Sequence, residues 1–267
     1  MSTVTVTPTV EPSTGPDDPP RIRLDVVDTG DPAVTQVTVT RTGPDGVVVP
    51  VRTGDGAPLP LATSGTTRIG TLYDYEAPLG APVAYSSIES PGVASAQVVV
   101  DADDVWLIHP GVPALSRPVL AAGISERTRR VTRGVHQPSG RKHTVTQSDG
   151  QRKAPEWTLT VRTTTDADRT AVDALLEDAG VLLLNVPASW GWGINAEYVS
   201  VGDSVEQRLM PYAPEPRRHW QLPLLVTDRP EGGSQAERDY ADILADYEDY
   251  AALLAAYPTY YDLLSGP

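Results

Sequence analysis

Short runs of alternating apolar and polar residues, each closed by a turn signal, recur along most of this chain and restrict it to antiparallel β structure. Residues 21–26 set Ile22, Leu24 and Val26 against Arg23 and Asp25, the period of a half-buried strand. Residues 34–41 place Val37 and Val39 on one face, Gly43-Pro44-Asp45-Gly46 reads as a turn, and residues 47–51 form a short strand. Residues 68–75, 83–88 and 96–100 continue the series, which predicts an antiparallel sandwich over residues 21–104. With 26 Pro and 22 Gly among 267 residues, a helical bundle is excluded.

Residues 1–20 hold Thr, Pro, Ser and Asp, with Val4, Val6 and Val10 as the large apolar groups. That is too little apolar surface to offset ordering entropy, so a flexible arm is predicted, ordered only by a neighbour that takes it as an added edge strand. Residues 105–230 read as a second β domain. In it Trp157, Leu159 and Val161 alternate strictly, and residues 181–186 are an apolar strand. One helix is predicted over 166–179, capped by Thr165 or Asp166, carrying Ala171, Val172, Leu175 and Leu176, and stopped by Gly180. Residues 231–267 repeat a ten-residue unit in which Asp239-Tyr240, Asp249-Tyr250 and Thr259-Tyr260 each open one or two helical turns. Helices this short do not hold themselves in water. Tyr240, Tyr250 and Tyr260 are therefore expected to lie on their own domain or on a neighbouring copy.

The net charge of −14 is unevenly spread: −9 over residues 1–116, +7 over 117–153, −5 over 154–230 and −7 over 231–267. The plain interpretation is solvated faces of opposite sign. The sharper expectation is that the basic block of one copy, with Arg127, Arg129, Arg130 and Arg133, meets acidic surface of another, since Arg pairs bidentately with carboxylates at interfaces. Overall acidity weighs against non-specific nucleic-acid binding.

Signatures of catalysis are absent from the sequence. With no Cys there is no disulfide, zinc knuckle, iron–sulfur site or thiol nucleophile. His109, His136, His143 and His219 lie at no metal-ligand spacing, and no HExxH, GxSxG, phosphate-loop or dinucleotide fingerprint occurs. The carboxylates of Asp101-Ala102-Asp103-Asp104 lack the second acidic cluster that calcium needs. Glu156 with Glu197, or Asp203 with Glu206, are pairs that any acidic β-protein offers. Trp190 and Trp192, around a tight turn, suit either stacking on a sugar or closing a sheet end. No apolar run nears the ~20 residues of a membrane span, and Met1-Ser2-Thr3-Val4-Thr5 is not the start of a secretory signal. A non-enzymatic chain without cofactor, metal or membrane partner is the expectation.

Two resemblances sharpen it. Tyr73, Tyr75, Ala77-Pro78, Gly80, Val83 and Tyr85 resemble the corner of an immunoglobulin or fibronectin type III module, which implies that the Tyr85 hydroxyl caps the corner. Residues 105–267 resemble minor tail proteins of long-tailed bacteriophages of actinobacteria. The likeness is carried by Val105-Trp106-Leu107-Ile108-His109-Pro110, Arg133-Gly134-Val135-His136-Gln137-Pro138, Trp157-x-Leu159-x-Val161-Arg162-Thr163, Tyr198-Val199-x-Val201-Gly202-Asp203, Arg218-x-Trp220-x-Leu222-Pro223 and the Tyr-Ala-Asp-x-Leu repeats. The resemblance implies a tail-tube or distal-tail-like β-sandwich or split barrel with one flanking helix, followed by a tail of short helices. It also implies a virion protein of the tail tip or baseplate, whose copies form a hexameric ring that meets the tail tube and tail hub. Here the immunoglobulin-like module precedes the ring-forming one. The alternative is a carbohydrate-binding adhesin in which the sandwich or the Trp190–Trp192 loop contacts glycans of the host cell surface.

Overall fold

The computed structural model describes residues 3–30, 34–54, 56–64, 66–137, 139–140, 142–210 and 215–231. Among these residues it is mainly β, with several antiparallel sheets and one α-helix. The first lobe contains β1 (Val4–Glu11), β2 (Arg21–Asp28), β3 (Gln36–Val37), β4 (Val39–Thr42), β5 (Val48–Pro50), β6 (Leu59–Pro60), β7 (Ala62–Ser64), β8 (Thr67–Asp74) and β9 (Ala84–Ser87). One sheet runs β1-β2-β8-β7, a second runs β5-β4-β9, and β3 pairs with β6. Between the sheets, Ile22, Leu24, Val26, Val37 and Tyr85 are fully enclosed. In β2 every second residue is buried, as the alternation predicts.

Four features of the first lobe and the helix depart from the sequence reading. Residues 1–20 are not a free arm: Val4–Glu11 pairs along its whole length with β2 of the same chain, burying Val4 and Val6. Half a face and eight residues of backbone pairing suffice for an edge strand, so a low apolar content did not prevent order. Residues 34–41 are two strands, broken where Thr38 donates its N–H to Glu89. Residues 96–100 make only isolated bridges, Val83 with Val98 and Leu79 with Val100. The helix, α1 (Asp166–Asp178), has the expected Thr165 cap, completed by the Asp168 side chain in a capping box, but it ends on an extended Ala179 rather than on Gly180.

The second lobe contains β10 (Val105–Ile108), β11 (Arg117–Ile124), β12 (Thr128–His136), β13 (Val145–Thr163), β14 (Leu182–Asn185), β15 (Ala196–Val201), β16 (Val205–Arg208) and β17 (Arg218–Val226). The order β13-β11-β10-β14-β15-β17 closes on itself, because β17 also pairs with β13. The result is a six-stranded antiparallel barrel, with β12 and β16 as outlying strands. Leu107, Leu159, Val161, Leu182, Leu184, Val199 and Leu222 fill it, with Val172 and Leu175 of α1 packed on the same core.

β10 and β14 form a wall common to both lobes. Val105 and Leu107 face the barrel core, while Trp106 and Ile108 join the sandwich core. Leu182 and Leu184 do the first, and Leu183 does the second. This explains two strands without a polar face: both faces are covered. Polar ties reinforce the wall. Buried Asn185 accepts from the Leu79 N–H at 3.0 Å and donates to the Ala77 carbonyl at 2.8 Å. Gly80, at φ 70°, passes so close to Ala188 that a Cβ there would sit 3.2 Å from its backbone nitrogen. The Glu76 carboxylate lies between Arg52, at 2.9 Å, and Arg229 from the segment after β17.

Candidate functional site

The feature that the two cores do not account for is the β12–β13 hairpin. β13 is 19 residues long. Its inner part, residues 156–163, pairs with β17 in the barrel wall, and Trp157, Leu159 and Val161 point inward. Among the described residues its outer part, residues 145–155, pairs only with β12, as an arm projecting from the barrel. All nine residues of β12 are exposed, so at ~3.3 Å per residue the arm reaches about 30 Å. The register shifts twice, between Arg129 and Val131 and between Val131 and Arg133. Gly150, at φ 78°, takes a left-handed conformation within the strand, as bulged pairing demands.

The four arginines singled out in the sequence all lie at this hairpin, but they divide into two kinds. Arg127 precedes β12, stacks 4.4 Å from the Trp157 ring centroid and donates to both oxygens of Glu197 on β15, at 2.7 and 3.0 Å. Arg130 donates from Nε to Glu156 at 2.9 Å. These two are engaged within their own chain, Arg127 with β15 of the barrel and Arg130 across the base of the hairpin. Arg129 and Arg133 have no ion-pair partner among the described residues. Arg152, which the sequence reading passed over, stands directly across from Val131. The signal for it was the Gln151-Arg152-Lys153 step within the +7 block. Glu156 and Glu197 stand opposite arginines, and Glu206 pairs with Arg218 at 2.8 Å, so these carboxylates are tied up as ion-pair acceptors.

Trp190 and Trp192 lie in and after a 3₁₀ turn, Ala188–Trp190, and meet edge to face at 5.2 Å and 77°. Both are half-buried and pack against the barrel core, so much of each ring is already covered. Tyr240, Tyr250 and Tyr260 lie outside the described residues.

Tyr85 is fully buried, and its hydroxyl donates to the Asp74 carboxylate at 2.9 Å. Asp74 also receives Arg41 Nη1 on both oxygens, at 2.7 and 2.8 Å. The hydroxyl thus ties the two ends of the corner, from β9 to the end of β8, through a side chain. Burial, then the Asp74 charge, pushes the Tyr85 pKa far up, so the phenol stays protonated. In the second lobe, His109 Nδ1 accepts from the Gly111 and Val112 N–H groups at 3.0 and 2.8 Å, and Nε2 lies 3.1 Å from Asp178. Burial lowers its pKa, and the two donors fix the neutral tautomer. Among the described residues no group of three or more His, Cys, Asp or Glu is placed to hold a metal ion.

What this arrangement offers chemically is a cationic, extended surface with a free strand edge. Among known proteins, no family model matches the chain, and no curated protein matches it.

Proposed function

We propose that this chain is a structural component of a bacteriophage tail: a minor or distal tail protein whose copies close into a ring joining the tail tube to the tip or baseplate. The likeness of residues 105–267 to tail proteins of actinobacterial phages supports the reading, as does a barrel with one flanking helix. The observation that carries it is the hairpin, whose nine-residue strand β12 is exposed throughout and pairs with β13 alone among the described residues. A two-stranded ribbon is marginal in water. Ring closure repeats one heterologous contact by rotation, in which a projecting element of one copy meets a different patch on the next. Arginines along the free edge resist indiscriminate strand pairing and leave recognition to a partner of opposite charge.

In this reading the chain works by shape and contact and makes no bonds of its own. The wall formed by β10 and β14 keeps the N-terminal sandwich, an immunoglobulin-like module, at a fixed angle to the ring. The immunoglobulin-like and tail-tube-like identities of the two lobes belong to this proposal. Electron microscopy of the purified protein tests it. Rings with a central lumen are expected, sixfold by the resemblance; dispersed single copies at all concentrations would contradict it.

A further inference from the structure

We propose that the hairpin face carrying Arg129, Val131, Arg133, Val135 and Arg152 receives the acidic, tyrosine-rich segment 232–267 of a second copy. This rests on the ring-subunit reading above and names the contact between neighbours. Residues paired across an antiparallel ribbon share a face, and here Val131 pairs with Arg152 and Val135 with Thr146. Val131, Arg133, Thr146 and Arg152 line a shallow concavity of about 490 Å³. Val131 and Val135 are 37 % and 59 % exposed, so the face alternates cations with uncovered apolar groups.

Charge complementarity supplies the argument. Arg21, Arg41, Arg52, Arg117, Arg218 and Arg229 all reach carboxylates of their own chain. Arg129, Arg133 and Arg152 reach none among the described residues; Arg68, Arg162 and Arg208 also reach none but are scattered, whereas these three gather on one hairpin. Residues 231–267 carry a net charge of −7 and include six of the chain's 11 Tyr. A guanidinium pairs with carboxylates and stacks on aromatic rings. The molecule already uses both at once: Arg21 bonds Glu11 at 2.7 Å and lies 5.0 Å from the Tyr73 ring centroid. A segment alternating Asp with Tyr and Leu complements a face alternating Arg with Val. The path of the chain favours a neighbour's segment. After β17, Arg229 is held by Glu76 and the Pro50 carbonyl, and Arg52 holds the Pro230 carbonyl, so the residues just before segment 232–267 are anchored on the first lobe, whereas the hairpin leaves the barrel.

The chain's two lysines, Lys142 and Lys153, both lie on this hairpin. Carbodiimide coupling, which joins amine to carboxylate without a spacer, therefore reports what the hairpin touches. Full-length protein made in ¹⁴N and ¹⁵N forms is mixed, assembled, coupled and digested for mass spectrometry. Mixed-isotope links from Lys142 or Lys153 to acidic residues between Asp239 and Asp262 are expected. They should fall at least several-fold at high salt and in the R129E/R133E/R152E variant, whose exposed sites leave the unfolding temperature unchanged. Links within single isotopes only, or no links to the segment, overturn the inference. Retardation of DNA by the wild type and not by the variant, without those links, assigns the face to nucleic acid and overturns it too. Rings without the links sink this contact alone, whereas absence of both rings and links sinks the ring reading as well.

Discussion

The two parts of β13 have the same backbone and opposite surroundings. In residues 156–163 alternate side chains are sealed in the barrel, and both neighbours, β11 and β17, belong to the closed wall. In residues 145–155 the strand has one partner among the described residues, and its described side chains up to Ala154 are exposed. The difference teaches that length of strand is no measure of stability: the inner part is held by burial, and the outer part by its continuity with the inner. The ion pairs repeat the contrast. Arg41 and Asp74 meet at 11 % and 2 % side-chain exposure, whereas Arg130 and Glu156 meet at 72 % and 35 %. The same chemistry is structural in one place and nearly free of consequence in the other.

Breaking the buried pair should have the largest effect. Asp74→Ala leaves Arg41 uncompensated in the sandwich core and strips Tyr85 of its acceptor; a loss of about 3–5 kcal/mol is expected in denaturant unfolding. Leu159→Ala, in the inner part of β13, should cost about 2–5 kcal/mol through the cavity it leaves. Tyr85→Phe removes only the hydroxyl that Asp74 accepts from, and about 1.5–3 kcal/mol should go with it. Glu156→Gln at the base of the hairpin should change stability by less than about 1 kcal/mol. If Glu156→Gln instead matched Asp74→Ala, the contrast between the two regions would be wrong.

The smallest expected effect is a pH dependence in the second lobe. Desolvation of the half-buried His109 disfavours its charged form, and its Nδ1 accepts from two backbone N–H groups, so protonation favours the unfolded chain. The stabilisation is present above the ordinary imidazole pKa of about 6.5 and is lost as the pH falls below it toward the lowered folded value. Thermal unfolding between pH 7 and 5 should show this decline. His109→Asn, whose amide oxygen can accept the same bonds, should flatten that part of it.

Much of the fold was legible because burial leaves a period in the sequence. Ile22, Leu24 and Val26 announced β2, Trp157, Leu159 and Val161 announced the inner part of β13, and Thr165 announced the start of α1. The apolar run at 182–184 was read as a strand, but the reason for it, a wall with a core on each side, needed the topology. β1 was missed because an edge strand draws its order from a partner distant in sequence, and local composition does not record that. The outer hairpin was obscured by Gly150, in its bulged, exposed part, and by Pro155, buried where the arm meets the barrel; both normally argue against a strand. The arginine cluster was visible as charge. Which of its members are already paired depended on Glu156 and Glu197 arriving from elsewhere in the barrel.

Hydrogen exchange along β13, below and above the concentration at which the protein assembles, tests the central claim most directly. In single copies, amides of residues 156–163 should exchange slowly and those of residues 145–154 quickly. On assembly the outer amides, together with those of β12, should gain at least tenfold protection while the inner ones stay as they were. Assembled particles whose hairpin exchanges as fast as in the lone chain would contradict the account, as would a hairpin already protected at high dilution.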